Sequence, residues 1–403
     1  MTQTIKLPQL VWYDPRDLEI SLPDGWHVEV CNMAGYNRPE IKDDQIKTAI
    51  TNPIGAPRIR ELAKCKHDVV MIFDDTHRPN KPARIVPYVL GELAEAGIPD
   101  NKIRFIGATG NHGAMNRMDF AKKLGEKTLA RFPVYNHNPF ESCSYIGTTS
   151  HGTKVMINEE VMKCDLKIAL GATMPHMLVV FSGGPKNILP GVASIETTFA
   201  NHTLKITDKT NYATNELRLD MEEAAVLAGL DVLIEGIVNQ WGKTVALFAG
   251  APVPTHDTAV KEAMSHYIMP KAEDKDIVIA NTYLKVTESI TGLANAVSLH
   301  KDGGDLVLIA NSPQGQVVHY MMGPWGETIV GSRFRFRAAI PPNINHLIIY
   351  TEYPDLAGLG FLEESDRIMM MDNWDDVVRT LREFHGDKAT VAVYPNGDIP
   401  YFG

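Results

Sequence analysis

The chain has 403 residues, 44% hydrophobic and 22% charged, the balance of a soluble globular protein. At about 150 residues per domain it has room for two or three domains. Its net charge of −10 excludes a nucleic-acid surface, which needs concentrated basic charge, and no apolar run is long enough to span a bilayer.

The first residues, Met1–Pro8, lack the apolar core of a secretory signal. Cys31, Cys65, Cys143 and Cys164 are widely spaced; they read as buried thiols in a reducing cytoplasm, not as a zinc site. Short apolar runs then alternate with helical patterns, which predicts an α/β fold with mostly parallel strands. The first strand is expected at Val69–Phe73, followed by a helix at Pro87–Ala96 that Gly97-Ile98-Pro99 stops. Further strands are expected at Ile103–Ile106, Leu166–Leu170 and Val245–Phe248, and a helix at Thr258–Tyr267. After the charged stretch that follows Pro270, strands are expected at Ile277–Ala280, Leu306–Ala310, Leu347–Tyr350 and Thr390–Val393, with helices at Val286–Leu299 and Trp374–Phe384. The expected organisation is two α/β domains, residues 1–269 and 270–403, with the active site in the cleft between them and the last residues free to pack back on the first domain.

Each of the first three strands runs into a polar turn: Asp74–Pro79, Gly107–Gly113 and Gly171–His176. Ligands of open parallel sheets gather beyond the carboxyl ends of the strands, so these turns mark the expected site. Capping of the next helix explains one Asp or Thr in the first turn but not Asp75 and Arg78 together; a guanidinium there offers a forked contact to carboxylate or phosphate. His112, in a turn that lacks both the phosphate-loop lysine and the dinucleotide glycine spacing, is a candidate general base. Ser182-Gly183-Gly184-Pro185-Lys186-Asn187-Ile188-Leu189-Pro190-Gly191 is the densest signal. Its apolar flanks favour a partly desolvated amine at Lys186, which suits a nucleophile or covalent attachment point. His176 before it and His202 after it can each act as base or metal ligand.

These residues, in this order, resemble the nickel-dependent lactate racemase family. The matching pieces are Asn52-Pro53-Ile54-Gly55, Asp75-x-x-Arg78-Pro79, the turn ending at His112, Pro175-His176, Ser182 to Gly191, and Asn201-His202. The resemblance covers most of residues 10–300 and implies a nickel-pincer nucleotide cofactor (nickel pyridinium-3,5-bisthiocarboxylic acid mononucleotide) tethered at Lys186. It further implies His202 as the nickel ligand, and His112 and His176 as two general bases on opposite faces of the substrate. Arg78, supported by Asp75, would orient substrate. Asp75, Thr76, Arg78, Gly110, Gly183 and Gly184 would line the cofactor, and Trp374 matches a family tryptophan close to it. The implied reaction removes the hydroxyl proton while hydride passes reversibly between C2 and the cofactor, and return to the other face inverts the centre.

One departure concerns the substrate. Where the lactate enzyme carries Gln-x-x-Lys on a helix of its second domain, this chain reads Glu288-Ser289-Ile290-Thr291. A carboxylate there repels a substrate carboxylate, and Lys285, one turn earlier on the same helix face, is placed either to restore the missing charge or to neutralise the acid. Lys285, Glu288 and Thr291 are therefore the expected substrate residues, and a larger or polyhydroxylated 2-hydroxyacid such as a sugar acid, or a sugar-like alcohol, is expected over lactate. His319, Trp325, Arg333 and Arg335 are further polar groups of that half. The expected partners are this small molecule and, transiently, the proteins that make the cofactor, in the cytoplasm. Two other readings stay open: a different redox or elimination reaction on the same cofactor, and a cofactor-binding protein without turnover, against which the pair of bases argues.

Overall fold

The computed structural model describes residues 3–330 and 337–403, which form two compact units. The first unit comprises residues 38–239 and 243–263. Its six-stranded sheet runs in the order Thr244–Gly250, Val232–Val238, Leu166–Ala172, Val69–Asp74, Ile103–Ala108 and Val134–Asn136. Neighbours are parallel except for the edge pair Val232–Val238 and Thr244–Gly250. The three central strands, Val232–Val238, Leu166–Ala172 and Val69–Asp74, are buried throughout, as expected where both faces of a parallel sheet are covered. On one face Val69, Met71, Phe73 and Phe105 pack with Val86, Val89 and Leu93 of the Val86–Glu95 helix. On the other, Val70, Ile72, Ala169 and Leu233 pack with Leu217 and Met221, and with Ile188 and Leu189 from the glycine-rich lysine segment.

The topology locates the site. From Val69–Asp74 the chain steps outward to Ile103–Ala108 and Val134–Asn136, then returns to place Leu166–Ala172 on the opposite side of the first strand. The strand order therefore reverses between Val69–Asp74 and Leu166–Ala172, and crevices at such reversals are where open α/β sheets bind ligands.

The second unit comprises residues 1–37, 240–242 and 264–403. Its sheet has the order Ile368–Met371, Ile344–Tyr350, Gly304–Ile309, Ile277–Asn281, Thr390–Tyr394 and His27–Val30, and all pairs are parallel. The expected division at residue 270 differs from this one: the first 37 residues belong with the carboxyl-terminal half, because His27–Val30 adds an edge strand beside Thr390–Tyr394. The last residues stay in this unit too. The expected helix at Val286–Leu299 is instead a 3₁₀ segment, Val286–Ser298, kinked at Glu288 (φ −116°, ψ 43°). Cys31 and Cys164 are buried, but Cys65 is exposed and Cys143 half-buried, so two of the four thiols depart from expectation. Among the described residues no helix is long and apolar enough to cross a membrane.

Candidate active site

The first strand-end turn is built around Asp75. One carboxylate oxygen accepts from the His77 backbone N–H at 3.0 Å, and the other lies 2.6 Å from His112 Nδ1. Burial would raise the Asp75 pKa, but His77, His112 and Arg78 outweigh it and hold the carboxyl below the usual carboxylate range. An ionised carboxylate only accepts hydrogen bonds. His112 therefore donates through Nδ1, and in its neutral form keeps the Nε2 lone pair, which is the form a base needs. The His77 ring meets His112 edge to face at 4.5 Å between centroids. The donor atoms of Asp75, His77 and His112 lie within 4.8 Å of one another, close enough to hold a metal ion. Arg78 donates from its guanidinium to the His77 carbonyl at 2.8 Å.

Lys123 supports this turn from below. It is fully buried and donates to Asp74 Oδ1 at 2.7 Å, to the Asn80 carbonyl at 2.9 Å and to the Arg78 carbonyl at 3.1 Å.

The second turn carries Gly110 at φ 54°. Its N–H donates to the Gly191 carbonyl at 3.0 Å, and a Cβ there would meet Pro190 at 3.3 Å. Gly110 thus ties the His112 turn directly to the end of the lysine segment.

In the third turn Pro175-His176 pairs with Val180-Phe181 in a short hairpin. The Leu178 N–H donates to His176 Nδ1 at 3.2 Å. That bond puts the proton of the neutral ring on Nε2, and Nε2 lies 3.3 Å from Lys186 Nζ. The amine and the imidazole thus form one hydrogen-bonded pair. Lys186 itself rides on the 3₁₀ turn Gly184–Asn187.

His202 ends the helix Ile195–His202, which Ser194 caps through the Thr197 N–H. The preceding Asn201 fixes the helix by donating to Asp220 at 2.8 Å and to the Leu217 carbonyl at 3.2 Å. His202 Nδ1 is buried and has no hydrogen bond within standard geometry. Burial, then the Lys186 cation, pushes its pKa down to about 3, with the Thr198 carbonyl pulling the other way. A ring held neutral at physiological pH, with an unused nitrogen beside Lys186, suits a metal ligand.

His112, His176, Lys186, Asp75, Thr76, Arg78, Gly110, Gly183, Gly184 and His202 all belong to the first unit. The structure joins them into two contacts, Asp75–His112 and His176–Lys186, with Lys186 coupled electrostatically to His202. Lys285, Glu288 and Thr291 belong to the second unit. Lys285 Nζ pairs with Glu288 at 2.8 Å, across the kink and with the lysine 4% exposed. The Thr291 hydroxyl faces two backbone carbonyls, of Glu288 and Asp398, each at 2.9 Å. Trp374 packs edge to face on Tyr350 at 5.4 Å and donates to the Ser21 carbonyl at 3.1 Å, so its contacts are with the core of the second unit. His319 Nδ1 accepts from the Met321 N–H at 3.1 Å. Arg333, Arg335 and the side chain of Trp325 lie outside the described residues.

Sequence reasoning gave no role to His77, Lys123, Asp220 or Glu235. Only Glu235 left a signal, a lone carboxylate inside the apolar run Val232–Val238.

The strand ends at this switch point bring together an Asp–His pair and a His–Lys pair, the kind of groups that bind and act on a small polar molecule. Comparison with known proteins makes the class definite. The model of the lactate racemase N-terminal domain matches residues 13–214. The lactate racemase of Thermoanaerobacterium thermosaccharolyticum is 32% identical over 288 residues, 68% of this chain and 67% of that protein. That of Lactiplantibacillus plantarum is 29% identical over 320 residues, 75% of this chain and 74% of that protein. The lactate racemase apoprotein structure from T. thermosaccharolyticum shares the fold, with a TM-score of 0.73 at 23% identity over 99% of both chains. A crystal structure of a Thermotoga maritima protein shares it at 0.63, with 15% identity over 91% of this chain and 99% of that one. The chain belongs to the lactate racemase family and is an isomerase.

Proposed function

We propose that the protein is a cytoplasmic, nickel-pincer-dependent racemase or epimerase of a 2-hydroxyacid larger or more hydroxylated than lactate. The observation that carries the reading is the trio of Lys186, His176 and His202: an amine hydrogen-bonded to one imidazole, near a second, buried imidazole whose Nδ1 has no hydrogen-bond partner.

The residues present fit the cofactor. Lys186 offers the nucleophile for the tether, and His202 Nδ1 is an orphaned buried donor for nickel, a metal that imidazole suits. Positive φ at Gly183 (96°) and Gly184 (56°) shapes the turn so that backbone can approach a ligand closely. When bound, the group supplies a reversible acceptor for the hydrogen that leaves the hydroxyl-bearing carbon.

The protein's own part is proton handling. His112 presents an unprotonated Nε2, with Asp75 holding its other nitrogen, and takes the hydroxyl proton. His176 is the second base: in its protonated, imidazolium form it gives a proton to the hydroxyl oxygen on the other face and returns to the neutral ring. In the cofactor-free chain its Nε2 pairs with the Lys186 amine. Attachment of Lys186 to the cofactor would engage that amine and leave the His176 ring to act on substrate. Two imidazole bases suit inversion, which presents the hydroxyl to opposite sides in the two directions.

The substrate reading rests on the second unit, where we assign Lys285, Glu288 and Thr291 to recognition. The Lys285 charge is consumed by Glu288, so that unit offers a carboxylate no free cation at these positions.

Co-expression with the cofactor-making proteins, followed by intact mass and nickel analysis, tests the proposal. A mass increment with nickel is expected in the wild type and not in Lys186→Ala; a wild-type chain with neither would overturn it. Turnover of C2-deuterated hydroxyacids and sugar acids should invert configuration with the label retained, and washout to solvent would indicate carbanion chemistry instead.

A further inference from the structure

We propose that Glu235 and His256 are positioning residues for Lys186: a buried carboxylate–imidazole pair that pins the Gly184–Asn187 turn. The inference rests on Lys186 as the attachment point. Glu235 sits in the middle of the Val232–Val238 strand and is completely buried. A carboxylate there is costly unless both oxygens find partners. They do. One accepts from the Gly184 N–H, and the other lies 2.8 Å from Nδ1 of His256, itself 1% exposed, on the Pro252–His266 helix.

The surrounding packing makes this contact specific to the turn. A Cβ on Gly183 would collide with Glu235 at 2.1 Å, and one on Gly184 would collide with the His256 ring at 2.5 Å. Both glycines thus lie pressed against the pair, at positive φ. The next residue of the strand, Gly236, accepts from the Thr173 N–H at 3.0 Å, so this strand end also holds the turn that carries His176. Beyond His256 lies Tyr212, at 5.8 Å between ring centroids. Arg218 stacks on the tyrosine at 4.3 Å and donates to its carbonyl at 2.7 Å. Tyr212 is in the segment that follows His202, so one chain of contacts runs from under the lysine turn to the segment beyond the proposed metal ligand. An apolar residue at position 235 would fill the space but leave the Gly184 N–H without an acceptor. The pair therefore fixes where the amine stands, not merely how the strand packs.

The test uses the full chain with Glu235→Ala, Glu235→Gln and His256→Phe. In cofactor-free protein, amide hydrogen exchange across residues 182–188 should accelerate at least about tenfold in E235A and H256F, while the Leu166–Ala172 strand keeps its protection. E235Q keeps an acceptor for Gly184 and a partner for His256, so it should stay within about threefold of wild type. After co-expression with the cofactor-making proteins, the mass increment should fall at least about fivefold in E235A and H256F and persist in E235Q. Unchanged exchange at 182–188 in either folded variant would overturn the proposal, as would E235Q failing as fully as E235A. Should E235A not fold, H256F alone decides, because it leaves the Gly184–Glu235 bond in place and removes only the pin. A wild-type chain without any mass increment would sink the tether reading while the exchange arm still decides the positioning role.

Discussion

Acid should unlock the floor of the site through His137. This imidazole is buried beneath the end of the lysine segment, with Nε2 at 2.8 Å from the Ala193 carbonyl and Nδ1 accepting from Asn158 at 3.2 Å. Burial pushes its pKa from 6.5 down to about 4, against the pull of the Ala193 carbonyl. The unfolded chain then binds a proton that the folded chain refuses between those values. The stabilisation is fully present above 6.5 and is lost as pH falls towards 4. Each intervening unit is about 1.4 kcal/mol, so moving from pH 7 to pH 5 should cost about 2 kcal/mol from this residue. His202, held down to about 3, adds a contribution of the same sign. All five tryptophans belong to the second unit, so intrinsic fluorescence reports on the wrong part of the chain. Urea unfolding should instead be followed by hydrogen exchange in the Leu166–Ala172 strand, at pH 7 and pH 5, for wild type and His137→Gln. Glutamine can donate to Ala193 but does not titrate, so the variant should lose about 2 kcal/mol less than wild type over the same interval. Equal losses in the two proteins would refute the reasoning.

Two further outcomes follow from the first strand-end turn. Asp75→Asn replaces an obligate acceptor with a group that can donate, which allows the other tautomer of His112 and occupies the nitrogen that should be the base. Turnover should fall by about 10²- to 10⁴-fold, the usual worth of a general base, while intact mass shows the cofactor still attached. Lys123→Met leaves the Asp74 carboxylate buried without its cation and should destabilise the first unit by about 3–5 kcal/mol. The double variant with Asp74→Asn should recover most of that loss in the same urea titration.

What the sequence revealed and concealed follows from the range of the interactions. Val69–Asp74, Ile103–Ala108 and Leu166–Ala172 were legible because buried parallel strands are apolar runs that stop at polar turns. Those turns carry Asp75, His112 and His176, and the glycine-rich segment that follows carries Lys186. Val232–Val238 escaped because Glu235 and Gly236 interrupt its apolar run, and its carboxylate makes sense only beside Gly184 and His256, 51 and 21 residues away. Lys123 reads as one of two adjacent lysines on the polar side of a helix, and nothing local says that it points into the protein towards Asp74. The first 37 residues carry no sign of pairing with a strand more than 350 positions later. The kink at Glu288 was equally hidden, since the periodicity of residues 286–299 fits an unbroken helix.

That kink bears on the substrate. Lys285 precedes the 3₁₀ segment and Glu288 leaves helical geometry, yet the two side chains still meet at 2.8 Å. Beneath them the Lys285 N–H donates to Asp398, whose carboxyl burial pushes up to about 6, with Lys285 drawing it back down. The cluster therefore sets two carboxyl groups against one amine. Such a group is a poor anchor for a small acid whose only handle is its carboxylate. It can accept hydrogen bonds from hydroxyl groups, and each such bond to a charged acceptor contributes about 1.5–3 kcal/mol. Under the proposed assignment of Lys285, Glu288 and Thr291 to recognition, this cluster would favour a substrate that brings hydroxyls to the second unit.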